Sequence, residues 1–154
     1  MEKFNKGAVL ITGTTSGVGL NTLKPLIEFG WDIIAVNRSS KRAIDEANKI
    51  LKNNEIESIN FIEIDLSDLN SVRDGAKEIA TRFGNVLKVL ICNAAIYKPR
   101  LKRPERSSQG FENSMAVNHF GHFLLINLLL ESILNSDEKI ILNGEILKFI
   151  PRIT

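Results

Sequence analysis

Short apolar runs alternate along this chain with longer stretches whose apolar residues recur at helical spacing. Ala8-Val9-Leu10-Ile11 and Ile33-Ile34-Ala35-Val36 are continuous apolar runs, the mark of strands covered on both faces. Phe61-Ile62-Glu63-Ile64 predicts a third strand, 86–92 a fourth and 139–142 a short fifth. Between the first two strands the pattern predicts a helix over 17–29, closed by Gly30. Pro25 falls inside it, where a kink on the solvent side is expected. Ser40 reads as the N-cap of a second helix that puts Ile44, Ala47 and Leu51 on one face. Ser67 reads as the cap of a third, with Leu69, Val72, Ala76, Ile79 and Phe83 at the 3.6 period. A polar loop over 98–109 leads to a long helix over 110–134.

Strands and helices in strict alternation, with connections too long for hairpins, require parallel strands and right-handed crossovers. The expected fold is a doubly wound α/β sheet, Rossmann-like, with strand order 3-2-1-4-5. No linker or repeat divides residues 1–154, so one domain is expected.

Composition narrows the function classes. Of the 154 residues 44% are apolar and 25% charged, an ordinary balance for a folded domain. Twenty basic and eighteen acidic residues leave a charge of +2, with no basic stripe of the kind nucleic acid requires. The single cysteine, Cys92, excludes an intrachain disulfide and suits a reducing compartment. No run of eighteen uncharged apolar residues and no leader pattern is present, so the expectation is a cytoplasmic protein without a membrane span.

The candidate chemistry begins right after the first strand, at Thr12-Gly13-Thr14-Thr15-Ser16-Gly17-Val18-Gly19. Glycines let the backbone turn tightly and approach a ligand, and the helix that follows offers free N–H groups to a pyrophosphate. The alternative is a turn that only packs helix on strand. The position between the first strand and the first helix favours a dinucleotide. An NAD site places an acid at the end of the second strand for the ribose 2′-OH. This chain has Asn37-Arg38 there, and Asp32 lies at the wrong end. A guanidinium fork suits a 2′-phosphate, which points to NADP(H). Asp65-Leu66 after the third strand and Asn93-Ala94-Ala95 after the fourth fall on the same ligand-binding edge.

This order of motifs, with an Asn in the long helix, resembles the short-chain dehydrogenases/reductases. A narrower similarity is to the light-dependent protochlorophyllide oxidoreductases. It rests on Gly17-Val18-Gly19-Leu20, Asn37-Arg38, Val89-Leu90-Ile91-Cys92-Asn93-Ala94-Ala95-Ile96-Tyr97 and Val117-Asn118-His119-Phe120-Gly121-His122-Phe123-Leu124-Leu125. The similarity runs from about residue 9 to 142. It implies hydride transfer from NADPH to a ring double bond of light-excited protochlorophyllide, giving chlorophyllide. Carried over, Gly13, Thr14, Thr15, Ser16, Gly17, Val18 and Gly19 would hold the pyrophosphate, and Asn37 and Arg38 the 2′-phosphate end. Asp65 and Leu66 would meet the adenine, and Asn93, Ala94 and Ala95 the ribose. Asn118 would support the proton relay, and Tyr97 would touch the pigment. No third ligand lies at recognisable spacing and the family uses no metal, so His119 and His122, three apart on one helix, are expected to serve packing or the helix surface. In many superfamily members the helix at 110–134 is a dimer face, and family members often work beside photosynthetic membranes; self-association and peripheral membrane contact follow as expectations.

The similarity breaks at one point. The superfamily's proton donor is the Tyr of a Tyr-x-x-x-Lys pair. This chain has one tyrosine, Tyr97, and position 101 is Leu. The resemblance stops after Leu142, where Asn143-Gly144-Glu145 follows, and beyond Ser136 the next Ser or Thr is Thr154. The expectation is an amino-terminal cofactor-binding part, incomplete at its C-terminal end and inactive by itself. Its fifth strand would be an open edge. Two alternatives stand beside it: part of another NADP-dependent short-chain reductase acting on a carbonyl substrate, or a noncatalytic NADP-binding module.

Overall fold

β1 (Ala8–Thr12) is buried at every position because helices cover both its faces. The computed structural model describes residues 6–98, 103–135 and 140–143. Around β1 lie β2 (Asp32–Asn37), β3 (Ile59–Glu63), β4 (Leu87–Cys92) and β5 (Ile140–Asn143), all parallel, in the order β3-β2-β1-β4-β5. The expected doubly wound sheet and its strand order are both present.

The helices are α1 (Gly17–Glu28), α2 (Ser40–Ala47), α3 (Asn53–Ile56), α4 (Leu69–Phe83), α5 (Asn113–Met115) and α6 (His122–Leu134). Successive strand residues point to opposite faces, so each strand feeds two cores. Val9, Ile11, Ile33 and Ala35 pack with Leu20 and Leu23 of α1 and Ala47 of α2. Leu10, Ile34, Val36 and Leu90 pack with Val72 and Ile79 of α4 and Leu125, Leu129 and Ile133 of α6. Two cores explain why these strands read as unbroken apolar runs rather than alternating ones.

Several boundaries differ from the sequence reading. The cap of α4 is Asp68, whose Oδ1 accepts the Asn70 N–H at 3.0 Å, not Ser67. Ser67 instead gives its N–H and its hydroxyl to Asp65 Oδ1, at 2.9 and 2.6 Å. The cap of α2 is Ser39, whose Oγ accepts the Arg42 N–H at 3.4 Å, with Ser40 already the first helical residue. In both cases two neighbouring residues qualify by type, and the path of the chain out of the strand selects one. β3 starts at Ile59 rather than Phe61, because pairing with Ile33 and Ile34 extends it past what its own residues indicate. Pro25 sits inside α1 on its exposed side, and Trp31 is half-buried against the core beneath α1.

The expected single helix over 110–134 is three pieces. Glu112 caps α5, accepting the N–H groups of Ser114 and Met115 at 3.0 and 2.8 Å. A π-helical stretch, Ala116–Gly121, then leads into α6. By length and composition Asn113–Leu134 is apolar enough to cross a membrane. In this fold its inner side, with Leu125, Leu129 and Ile133, is part of the core against β4 and α4. Lys139, the expected start of the fifth strand, residues 99–102 of the polar loop and everything after Asn143 lie outside the described residues.

Candidate functional site

The C-terminal ends of β1, β2, β3 and β4 open onto one cleft, lined by Gly13, Thr15, Asn37, Arg38, Asp65, Leu66, Ala94 and Ala95 among others. Every strand end singled out in the sequence is therefore on one surface. Ser39, Arg42, Ile96 and Val117, none of which was expected to be a site residue, also line it.

A polar network lies beneath the cleft, reaching its lining at Asn37. Among the described residues the buried polar side chains are Thr12, Thr14, Asn37 and His122, and all four lie under this site. Buried polar groups need partners, and each of these has them. Asn37 accepts the Thr14 N–H at 2.7 Å and donates to Thr14 Oγ1 at 2.8 Å. Thr12 Oγ1 accepts the N–H groups of Asn93 and Ala94, both at 3.0 Å. Asn93 Nδ2 donates to the carbonyls of Thr12 and Gly13 at 2.9 and 3.0 Å. The turn after β1 is thus bolted to the ends of β2 and β4.

The glycines of the turn do two different things. A Cβ at Gly13 would lie 2.7 Å from Ala94 Cα, and one at Gly19 would strike the Gly13 carbonyl and the Asn93 amide. These two let the backbone pack closely. Gly17, at φ +57°, has nothing within 4 Å of its Cβ position, so space there is open. Ser16, at the N-cap of α1, makes no side-chain capping bond, and the first turn holds no acid. An open cradle before uncapped helix N–H groups, at the positive end of the helix dipole, fits a pyrophosphate.

At the other end of the cleft Arg38 and Arg42 are exposed on the rim. No ion pair among the described residues engages either. Arg38 follows β2, Ser39 caps α2 and Arg42 lies in its first turn, and all three line the cleft, so two guanidinium groups and a hydroxyl serve one corner. The signal for Arg42 is its place in the first turn of α2, legible only once the helix start at Ser40 is known. Asp65 faces the same cleft, its carboxylate occupied by Ser67.

Asn118 is placed by the π turn beside the loop after β4. Its Oδ1 accepts the Ile96 N–H at 2.8 Å and its Nδ2 donates to the Ile96 carbonyl at 2.9 Å. The side chain acts as a strand partner for that loop. Thr14, Ser16, Gly17, Val18, Gly19 and Asn93 belong to the turn or its supports rather than to the cleft lining, and Tyr97 stands exposed outside it. His119 is exposed and stacks on Phe123, whereas His122 is buried.

Comparisons with known proteins agree with this geometry. The family model for short chain dehydrogenases matches residues 7–144. A protochlorophyllide reductase of Cucumis sativus, named as chloroplastic, is 40% identical over 152 residues, covering 94% of this chain and 37% of its own length. Protochlorophyllide reductase A of Arabidopsis thaliana is 39% identical, covering 94% of this chain and 36% of its own. In fold, the bulky-bulky ketone specific alcohol dehydrogenase of Comamonas testosteroni superposes with a TM-score of 0.72 at 20% identity, over 90% of this chain and 54% of that one. The chain spans a little over a third of the length of the two curated relatives.

Proposed function

The chain belongs to the short-chain dehydrogenase family, and from that premise we propose that it is the NADP(H)-binding part of a reductase of the protochlorophyllide type. One observation carries the reading: the turn that opens at Gly17 before an uncapped α1 also sends Gly13 and Thr15 into the cleft lined by Arg38 and Arg42, which no ion pair among the described residues engages. The pyrophosphate rests on the N–H groups of α1, and the two guanidinium groups and Ser39 take the 2′-phosphate. The adenine lies against Asp65 and Leu66, and the nicotinamide ribose passes Ala94 and Ala95, whose small side chains admit it. NADPH supplies the hydride. The residues of this chain bind and orient it, and Asn118 keeps the loop at Ile96 in place beside it.

The names of the relatives support a protochlorophyllide pigment as the substrate of the whole reductase, with Tyr97 proposed at its edge. A second reading, a dinucleotide-binding module without turnover of its own, is favoured by Tyr97. It is the single tyrosine, it stands exposed outside the cleft, and no Lys follows it at the fourth position. We also propose that the outward side of α6 carries self-association.

Calorimetric titration with NADP⁺ and NAD⁺ tests the cofactor. NADP⁺ should bind at least about tenfold more tightly, and Arg38→Ala with Arg42→Ala should erase that preference. Equal affinity for both dinucleotides in the unaltered chain would overturn the assignment. Illumination of the chain with NADPH and protochlorophyllide tests the expected inactivity: no chlorophyllide should form, and its formation would overturn that expectation and the module reading with it.

A further inference from the structure

His122 is a fully buried imidazole in an apolar helix, 110 positions from the residue it bonds, and nothing in the proposed cofactor contacts requires it. Its Nε2 lies 2.9 Å from Thr12 Oγ1, and its Nδ1 3.3 Å from the Asn118 carbonyl. The partners fix the proton. A hydroxyl has two lone pairs and one hydrogen. Thr12 Oγ1 already accepts the N–H groups of Asn93 and Ala94. The Asn93 N–H is shared with the Ile91 carbonyl at 3.1 Å, but the Asn118 carbonyl can only accept, so the ring proton sits on Nδ1 and Nε2 accepts the Thr12 hydrogen.

We infer that His122, as the neutral Nδ1–H tautomer, is a positioning residue that locks the dinucleotide turn to the Asn118 turn. This rests on the NADP(H) reading of the cleft. Three walls meet at the imidazole: Thr12 leads into Gly13, Asn93 and Ala94 leave β4, and Asn118 holds Ile96. Adding a proton to Nε2 sets an N–H against a hydroxyl with no free lone pair. Thr12 must then drop a strand-end N–H or turn away, and the turn loses its anchor.

Among the described residues no ion pair reaches the imidazole to offset that loss. β1 carries no titratable side chain, β4 carries Lys88 and Cys92, and α6 itself carries Glu131, with His119 in the preceding π turn. Asp65 follows β3, and the charges of α4 from Arg73 to Arg82 face solvent. The imidazole's pKa lies below its ordinary value, first because of burial, with the Asn118 carbonyl opposing.

The test combines a tautomer measurement with a rescue series. Long-range ¹H–¹⁵N spectra of the labelled chain at neutral pH should show His122 protonated on Nδ1 and bare on Nε2. His122→Leu should weaken NADP⁺ binding about tenfold, the affinity equivalent of one net hydrogen bond. His122→Gln should restore most of it, since its side-chain carbonyl can accept from Thr12 at any pH. On acidification the affinity of the unaltered chain should fall more steeply than that of the Gln variant; titration of the 2′-phosphate is common to both. An ε-protonated ring, a folded Leu variant of unchanged affinity, or identical pH profiles would each overturn the inference. If the Leu variant fails to fold, the tautomer and the Gln profile decide. A chain with the δ tautomer that binds no NADP⁺ at any pH would instead overturn the dinucleotide reading, and the positioning role with it.

Discussion

Asn37 grips Thr14 at both ends of its amide, taking the main-chain N–H at 2.7 Å and giving a hydrogen to Oγ1 at 2.8 Å. The position at the end of β2 where a dinucleotide fold selects its ribose thus holds a residue whose polar atoms are turned toward the glycine turn. The neighbouring Arg38 is left on the rim for the ligand. Asn37→Leu removes both bonds and strands a buried N–H. It should lower stability by about 1–3 kcal/mol, read in urea unfolding, and weaken NADP⁺ binding. Unchanged stability would mean that the turn is held elsewhere.

The two roles of glycine in the turn give opposite phenotypes. Gly19→Ala drives a methyl group into the Gly13 carbonyl and the Asn93 amide, and should destabilise the fold by about 1–3 kcal/mol. Gly17→Ala meets no protein atom and costs only its positive φ, about 1 kcal/mol, yet it fills the cradle and should hinder NADP⁺ more than it hinders folding. Thermal melts beside calorimetric titrations compare the two. A Gly17→Ala variant with full affinity would move the pyrophosphate off α1.

Cys92, buried at the end of β4, has its thiol pKa pushed up from 9.0 to about 12 by desolvation. It should resist aromatic disulfide reagents at pH 8 in the folded chain and react at once in denaturant. The folded pKa lies above the unfolded one. This group's contribution to stability is therefore complete below pH 9 and is lost as pH rises from 9 toward 12. Cys92→Ala should flatten that alkaline loss in unfolding curves. Rapid labelling under native conditions would contradict the burial.

Asp68 and Gln109 tie the loop before α5 to the start of α4, Gln109 Nε2 donating to Asp68 Oδ1 at 2.8 Å. The Asp68 pKa lies below its ordinary value, first through Gln109 and then through the Asn70 N–H it caps. What this carboxylate adds to stability is present above its ordinary titration range and is lost as pH falls. Gln109→Ala should move the Asp68 titration upward in a carboxyl-detected NMR series. No movement would place the cause in the cap alone.

Phe123, Leu128 and Leu134 stay 58, 44 and 47% exposed on the outward side of α6. Sedimentation should show concentration-dependent self-association, and Phe123→Glu with Leu128→Glu should abolish it. A monomer at all concentrations in the unaltered chain would end that reading.

By itself the sequence determined the layered sheet, its strand order and the edge where a ligand binds, because apolar runs, helical periodicity and glycines are local patterns that survive without a partner. It also singled out Arg38, since the residue type at the end of the second strand follows from counting. Caps at Asp68 and Ser39, the extension of β3 to Ile59 and the start of α2 that brings Arg42 to the rim were decided by how the chain leaves each strand. The π turn at Ala116–Gly121 inserts a step that no 3.6-residue pattern registers, and it sets Asn118 against Ile96 and His122 against Thr12. His122 was legible only as one histidine of a pair on a helix. Its partner is 110 residues away, and a hydrogen bond that joins the first strand to the last described helix exists only once the sheet between them has folded.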